Sequence, residues 1–251
     1  MVAGASRGVG RGVAIALAEA GFQVFATARS IATADLPASV HRIVCDHTDD
    51  AQTERAFDVL TANCQKLDIL INSAWGGYQR MIEDGRFTWG APFWEQPMHR
   101  WQAMMDAGVR AAFVCSGHAA RLMLPQRRGL IVNISYWAAR KYMGNAIYGI
   151  SKAATDKMTS DMAHELGPHG ITAISLYPGL VRTEAVLASG WFDLSASESP
   201  EFIGRVIAAL GRDPGLADRS GQALVAAAVA TELGVTDIDG RQPAALTLDT
   251  A

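Results

Sequence analysis

Gly4-Ala-Ser-Arg-Gly8-Val-Gly10 runs straight into an amphipathic stretch over 11–20, and the fold turns on how this junction is read. A glycine turn that feeds a helix N-terminus aims backbone N–H groups and the positive end of the helix dipole at one point, a natural seat for an anion. Gly4 permits a tight turn, and Gly8 and Gly10 let the backbone approach a pyrophosphate closely. Ser6, Arg7 and Val9 share the turn and join the candidate cofactor contacts. Glycine-rich turns also serve as plain connections, so this stretch alone leaves both readings open. A buried strand of about five residues normally precedes such a turn. Here only residues 1–3 do, so either the first strand is short or the chain begins inside it.

Working outward, β-rich apolar runs fall at 22–27, 41–45, 69–71, 130–134, 172–177 and about 223–228. Helical periodicity occupies 10–20, 53–66, 98–124, 148–166 and 200–210. Alternation of this kind predicts an α/β fold: a single Rossmann-type, doubly wound parallel sheet with helices on both faces, and ligands at the carboxyl ends of the strands. With 251 residues, no internal repeat and no linker-like segment, one domain over 1–251 is expected. Two stretches break the rhythm, the aromatic, glycine-bearing 75–97 and the loop-like 184–200, and both are candidate substrate loops.

Composition narrows the function classes. A net charge of -3 gives no reason to expect a nucleic acid or an anionic membrane as partner. Cys45, Cys64 and Cys115 are odd in number and widely spaced, which fits a reducing compartment and no structural zinc. His41 and His47 lack a third ligand at metal spacing, so no metal is expected. The apolar run 223–230 is too short to span a bilayer, and no signal peptide is evident, so a cytoplasmic protein without a membrane span is the expectation.

The second strand sharpens the cofactor. Phe25-Ala-Thr-Ala-Arg29 ends without the acidic residue that would grip an NAD ribose, and Arg29, with Arg7 from the turn, suits the 2′-phosphate of NADP(H). NAD(H) is the lesser expectation. Asp46 and Asn72 end the third and fourth strands, where they would flank the adenine and its ribose. Each also has a local reading, as a turn cap or a backbone partner.

Tyr148 and Lys152 stand four apart at the start of a helix and share a face, and Ser135 ends the preceding strand thirteen residues before Tyr148. A carbonyl that receives hydride at carbon needs a proton at oxygen. A phenol of pKa about 10 becomes a usable donor near neutrality when an ammonium about 5 Å away contributes roughly 3 kcal/mol. Ser135 would hold the substrate oxygen by a hydrogen bond. Tyr148 and Lys152 alone would read as a surface pair; Ser135 and the glycine turn make them a catalytic set.

These residues resemble the short-chain dehydrogenase/reductase family over essentially the whole chain. The likeness is carried by Gly4–Gly10, Asn72-Ser73-Ala74, Ile131-Val-Asn-Ile-Ser135, Tyr148-Gly-Ile-Ser-Lys152, Tyr177-Pro178-Gly179 with Val181 and Thr183, and Ser220-Gly-Gln222. The resemblance implies that Pro178, Gly179, Val181 and Thr183 hold the nicotinamide carboxamide, and that the protein forms homodimers or homotetramers. A narrower likeness, in Pro92-Phe-Trp-Glu-Gln-Pro97, Arg121-Leu-Met, Ala163-His-Glu-Leu166 and Leu176-Tyr-Pro-Gly179, points to a branch that reduces ketones with NADPH, including steroid and xenobiotic carbonyls. Two positions depart from the family pattern. The family Asn expected 27 residues before Ser135 falls on Gly108, and Trp75 stands where Asn-Asn-Ala is usually followed by glycine. Trp75 is read equally as a wall of the nicotinamide site or as packing beneath the long loop, and Trp137 and Tyr142 as lining for the substrate. The expected activity is reversible ketone reduction by an NADP(H)-dependent carbonyl reductase or alcohol dehydrogenase. The rival readings are a catalytically silent NADP-binding sensor or scaffold and a different reaction, such as dehydration or epimerisation, on the same site.

Overall fold

The computed structural model describes residues 1–76, 80–190 and 192–251. Among these, nine strands follow in chain order: β1 (Val2–Ala3), β2 (Phe25–Ala28), β3 (His41–Val44), β4 (Ile69–Asn72), β5 (Ile82–Glu83), β6 (Arg86–Phe87), β7 (Gly129–Ile134), β8 (Ile171–Tyr177) and β9 (Ala223–Val225). The helices are α1 (Gly8–Glu19), α2 (Asp50–Asn63), α3 (His99–Met104), α4 (Ala111–Met123), α5 (Ala146–Leu166), α6 (Glu184–Ser189), α7 (Pro200–Leu210) and α8 (Ala226–Leu233). Seven strands form one parallel sheet in the order β3-β2-β1-β4-β7-β8-β9, and β5 and β6 pair as a separate antiparallel hairpin.

Helices cover both faces, which is why β2, β4 and β8 are buried along their whole length and read as unbroken apolar runs. One face packs against α1, α7 and α8 through Val13, Leu17, Phe202, Val206 and Val229. The other packs against α2, α4 and α5 through Phe57, Leu60, Cys115, Ala119 and Ala163. From β1 the chain winds outward to β3 and then returns to β4 on the other side. The order therefore reverses between β1 and β4, and the carboxyl ends of these strands flank a crevice.

Several boundaries differ from the sequence reading. The helix expected over 98–124 is α3 and α4 joined by a π-helical stretch, Met105–Arg110, whose wider turn absorbs residues that a regular helix could not. The strand expected near 223–228 ends at Val225, and Ala226–Leu233 is helical. An alanine run that is apolar all round carries neither period, so its type is set by packing. The two irregular stretches contain structure too, the β5–β6 hairpin in the first and α6 in the second. The amino group of Met1 donates to the Ile69 carbonyl at 2.7 Å, and burial lowers its pKa to about 5.

Candidate active site

β7 stops at Ile134, and Ser135 follows at the carboxyl edge of the sheet, 2% exposed. Its N–H donates to the Leu176 carbonyl at 2.9 Å and its Oγ to the Lys152 carbonyl at 3.4 Å, so strand and helix meet at this residue. α5 starts beside it because Asn145 caps the helix, its Oδ1 accepting the Tyr148 N–H at 2.9 Å. The same amide donates to the Trp89 carbonyl and to Gln96 Oε1, each at 3.0 Å, and so ties the helix start to the long loop. The sequence reading passed over Asn145, although an asparagine three residues before Tyr148 at a helix start is a capping signal.

Lys152 lies one turn further on. Its Nζ donates to the Ile134 carbonyl at 3.1 Å and sits 5.7 Å from the ring centres of both Tyr148 and Trp75. Burial lowers its ammonium from 10.5 to about 8, against the opposing pull of Asp156. The Tyr148 ring is buried between two indoles, with Trp75 at 5.6 Å and Trp89 edge-on at 5.1 Å. Trp89 is fixed in turn by its Nε1–H, which donates to the Met143 carbonyl at 3.0 Å.

The two departures from the family pattern meet in space. A Cβ at Gly108 would stand 3.2 Å from Trp75 Cδ1, so the indole fills the space into which a side chain at 108 would grow. Of the other aromatics, Trp137 packs edge-on against Tyr177 at 5.3 Å and Tyr142 is 74% exposed, so it is Trp75 and Trp89 that flank Tyr148. Residues 77–79 of the long loop and Trp191 lie outside the described residues.

At the glycine turn, Gly8 opens α1 and donates its N–H to Glu184 Oε2 at 2.9 Å, while Arg11 pairs with Glu184 Oε1 at 3.0 Å. A carboxylate thus occupies the place where a helix N-terminus favours an anion, and the turn and Arg11 together hold it. Thr183 caps α6 through its hydroxyl, and its methyl lies 3.5 Å from where a Gly8 Cβ would be, so the loop after β8 reaches the loop after β1. Arg7 is exposed on the turn and Arg29 is exposed just past β2. Burial, the largest influence on Asp46, acts to raise its carboxyl; hydrogen bonds from Thr48 and the charges of Arg29 and His47 outweigh it and hold the group below its ordinary value.

The local readings of Asp46 and Asn72 are both present. Asp46 caps the Thr48 turn, and the Asn72 amide donates to Asn133 Oδ1 at 2.8 Å and Ser116 Oγ at 3.0 Å. The Ser73 N–H donates to the Ala3 carbonyl at 2.9 Å, and the backbone of Ala74 lies 2.5 Å from where a Gly4 Cβ would be, which packs 72–74 against the glycine turn. Beyond Pro178, the Gly179 N–H donates to Glu198 Oε2 at 2.7 Å, and Val181 forms a β-bridge with Glu198. A 460 Å³ cavity lined by Phe22, Ile69, Leu130, Thr172 and Gly211 lies at the opposite, amino end of the sheet, and none of the catalytic candidates lines it.

The chain is similar to known proteins along almost all of its length. The short chain dehydrogenase family pattern matches residues 1–190. Dehydrogenase/reductase SDR family member 1 of Mus musculus is 36% identical over 264 aligned residues, which span 96% of this chain and 83% of that protein; the Homo sapiens protein matches to the same degree. A 3-oxoacyl-[acyl-carrier-protein] reductase of Synechocystis is 30% identical, over 88% of this chain and 92% of its own. Among solved structures, a short chain dehydrogenase/reductase family protein superposes with a TM-score of 0.74 at 27% identity, covering 89% of this chain and 93% of its own. An actinorhodin polyketide ketoreductase with NADPH shares the fold at 23% identity, with a TM-score of 0.75 over 89% and 93% of the two chains. The fold, the grouping of Ser135, Tyr148 and Lys152 at the strand ends and these likenesses agree: the chain belongs to the short-chain dehydrogenase/reductase family and is an oxidoreductase of that family.

Proposed function

We propose that the protein interconverts a ketone and an alcohol with NADP(H), with Tyr148 as proton donor and acceptor, Lys152 as its electrostatic support and Ser135 as the hydrogen-bond donor to the substrate oxygen. One observation carries this reading: a buried lysine ammonium lies 5.7 Å from the Tyr148 ring, at the strand end where Ser135 stands. The residues present fit a dinucleotide, because the Gly8 N–H and Arg11 already hold a carboxylate at the mouth of the glycine turn. Arg7 and Arg29 would meet the 2′-phosphate, and 178–183 the nicotinamide end. When bound, the cofactor supplies or accepts the hydride.

The chain's own groups handle the proton. The ammonium of Lys152 favours the phenolate that Tyr148 becomes after giving up its proton, by about 3 kcal/mol for charges some 5–6 Å apart at an effective dielectric near 20. Ser135 Oγ, turned from the Lys152 carbonyl towards the substrate, fixes the oxygen that the proton reaches. Trp75 and Trp89 exclude water from the Tyr148 ring and give the site an apolar wall, which favours flat apolar ketones such as steroid-like or aromatic carbonyls. We place the protein in the cytoplasm, on its odd and widely spaced cysteines, and as a homodimer or homotetramer, on the family resemblance; among the described residues no helix is long and apolar enough to cross a membrane.

The test follows NADPH absorbance with a panel of ketones, quinones and steroids. Tyr148→Phe should lower kcat by roughly 10²- to 10⁴-fold while NADPH still binds. Equal rates in both proteins, or tight NADPH binding without turnover of any carbonyl, would overturn the catalytic reading. Arg29→Ala should weaken NADPH by about 10- to 150-fold and spare NADH, since a charge-assisted bond is worth roughly 1.5–3 kcal/mol. An equal effect on both cofactors would mean that Arg29 does not read the phosphate.

A further inference from the structure

Glu198 is 1% exposed and faces the stretch that follows β8. Its contacts with that stretch are unusually complete. The side chain accepts the Gly179 N–H at 2.7 Å, its own N–H donates to the Leu180 carbonyl at 2.8 Å, and its carbonyl accepts the Arg182 N–H at 2.8 Å. Residues 179, 180 and 182 are therefore all held by one residue. A Cβ at position 179 would lie 2.8 Å from Glu198 Oε1, 3.0 Å from Cδ and 3.4 Å from Oε2, so its three nearest neighbours all belong to this carboxyl group. The room that glycine leaves at 179 is filled by this carboxylate.

Glu198 is itself anchored. The next residue, Ser199, donates its N–H to Asp237 Oδ2 at 2.9 Å and its hydroxyl to Asp237 Oδ1, while Arg182 donates to the same Asp237 at 3.0 Å. Arg205 holds the chain around Asp237 through the carbonyls of Thr236 and Asp237, each at 2.9 Å. The groups that face Glu198 electrostatically are Asp237, Arg182 and, from the segment just past Ser135, the phenol of Tyr136. A buried carboxylate is costly to desolvate, and one kept here with a single backbone N–H donor among the described residues and a second carboxylate nearby calls for a reason beyond packing.

We propose that Glu198 is a positioning residue for the nicotinamide end of the cofactor, its carboxylate shaping 178–183 through the Gly179 N–H. This rests on the NADP(H) reading above. Glu198 acts through the backbone of Gly179 and Arg182, and so is distinct from the groups that touch the reacting atoms. It also makes the segment responsive to pH, because burial, the largest influence, and the charge of Asp237 raise its carboxyl to about 7, against the Gly179 hydrogen bond and Arg182. Above that pH the ionised group grips the Gly179 N–H most strongly, since bonds to charged acceptors are about twice as strong as neutral ones.

The experiment measures binding of NADPH, by its fluorescence, and of 2′,5′-ADP, which lacks the nicotinamide, between pH 6 and 8.5. Wild type should bind NADPH more tightly as pH rises through about 7, and Glu198→Gln, which keeps an acceptor oxygen but does not titrate, should bind it with no such rise. At pH 8 the variant should be weaker than wild type by roughly fivefold, the difference of about 1 kcal/mol between charged and neutral acceptors. 2′,5′-ADP should bind wild type and variant alike at every pH. Equal NADPH affinities and parallel pH profiles for the two proteins, or an equal loss for both ligands, would overturn the proposal. If wild type binds neither ligand, it is the NADP(H) reading that fails.

Discussion

In the loop after β1, the Gly8 N–H donates to Glu184 at 2.9 Å; in the loop after β8, the Gly179 N–H donates to Glu198 at 2.7 Å. The contacts are nearly the same, but their surroundings are opposite. The Glu184 side chain is 49% exposed and reaches the turn from the short helix α6, whereas Glu198 is sealed in the fold and backed by Asp237 and Arg182. An exposed carboxylate on a helix N-terminus can leave when a better anion arrives; a buried one on a β-bridged strand cannot. The first contact is an exchangeable one at a helix N-terminus, and the second is built into the fold.

Substituting the glycines separates the two loops most strongly. A Cβ at Gly10 would lie 2.1 Å from the Gly4 carbonyl oxygen, so the turn closes on its own backbone. No side chain can be trimmed to relieve that clash, and Gly10→Ala should cost about 3 kcal/mol or more and abolish cofactor binding. At Gly179 the obstacle is the Glu198 carboxylate. Gly179→Ala should therefore cost less, about 1–3 kcal/mol, and be non-additive with Glu198→Ala. Thermal unfolding of the single and double variants measures both effects, and additivity at 179 and 198 would show that the carboxylate is not what fills the space.

Glu198 also predicts how stability varies with pH. Its carboxyl is raised from 4.5 to about 7 in the folded state, so between those values the folded protein holds more protons than the unfolded chain. Its contribution to stability is present below pH 4.5, falls as pH rises to about 7 and is flat above. At 1.36 kcal/mol per pH unit the loss is on the order of 3 kcal/mol. Glu198→Gln removes it, so the variant should match wild type near pH 5 and melt several degrees higher at pH 8. A variant that is more stable yet weaker in NADPH binding would separate positioning from packing; a lower Tm at pH 8 would put Glu198 among the ordinary structural contacts.

The two loops were also unequally legible from sequence. The glycine turn over residues 4–10 could be read because it is local: the turn and the helix it feeds are contiguous. Ser135, Tyr148 and Lys152 could be read because a strand end and a helix face fix their spacing. Glu198 and Glu184 could not, since each meets its glycine across an irregular loop that carries no period. Trp75 was visible only as a departure; Gly108, beside which it packs, lies in the π-helical stretch, which the continuous helical periodicity of 98–124 conceals. Arg29, Asp46 and Asn72 stand at the strand ends as expected, and the structure adds the local bonds that Asp46 and Asn72 make there. The strand expected near 223–228 runs three residues into α8 because the apolar run is continuous across 225–226 and shows no change of period, although alanine itself favours helix.

The smallest effect, and the one that bears most directly on the comparison, belongs to Glu184. If its carboxylate stands where a pyrophosphate would sit, cofactor binding must displace it, and the apparent affinity is lowered by the fraction of molecules in which the contact is closed. A half-exposed contact of this kind is worth about 0.5–1 kcal/mol, so Glu184→Ala should tighten NADPH binding by roughly two- to fivefold. Because the expelled group is a carboxylate, Glu184→Gln should give part of the same gain, and added salt should shrink the difference between variant and wild type. Inorganic pyrophosphate, used as a competitor of NADPH, should show the same order of affinities, since only the glycine turn and Arg11 are at issue. Glu184→Ala binding NADPH more weakly than wild type would reverse the assignment: the carboxylate would then support the bound state, and the loops after β1 and β8 would differ in exposure but not in kind.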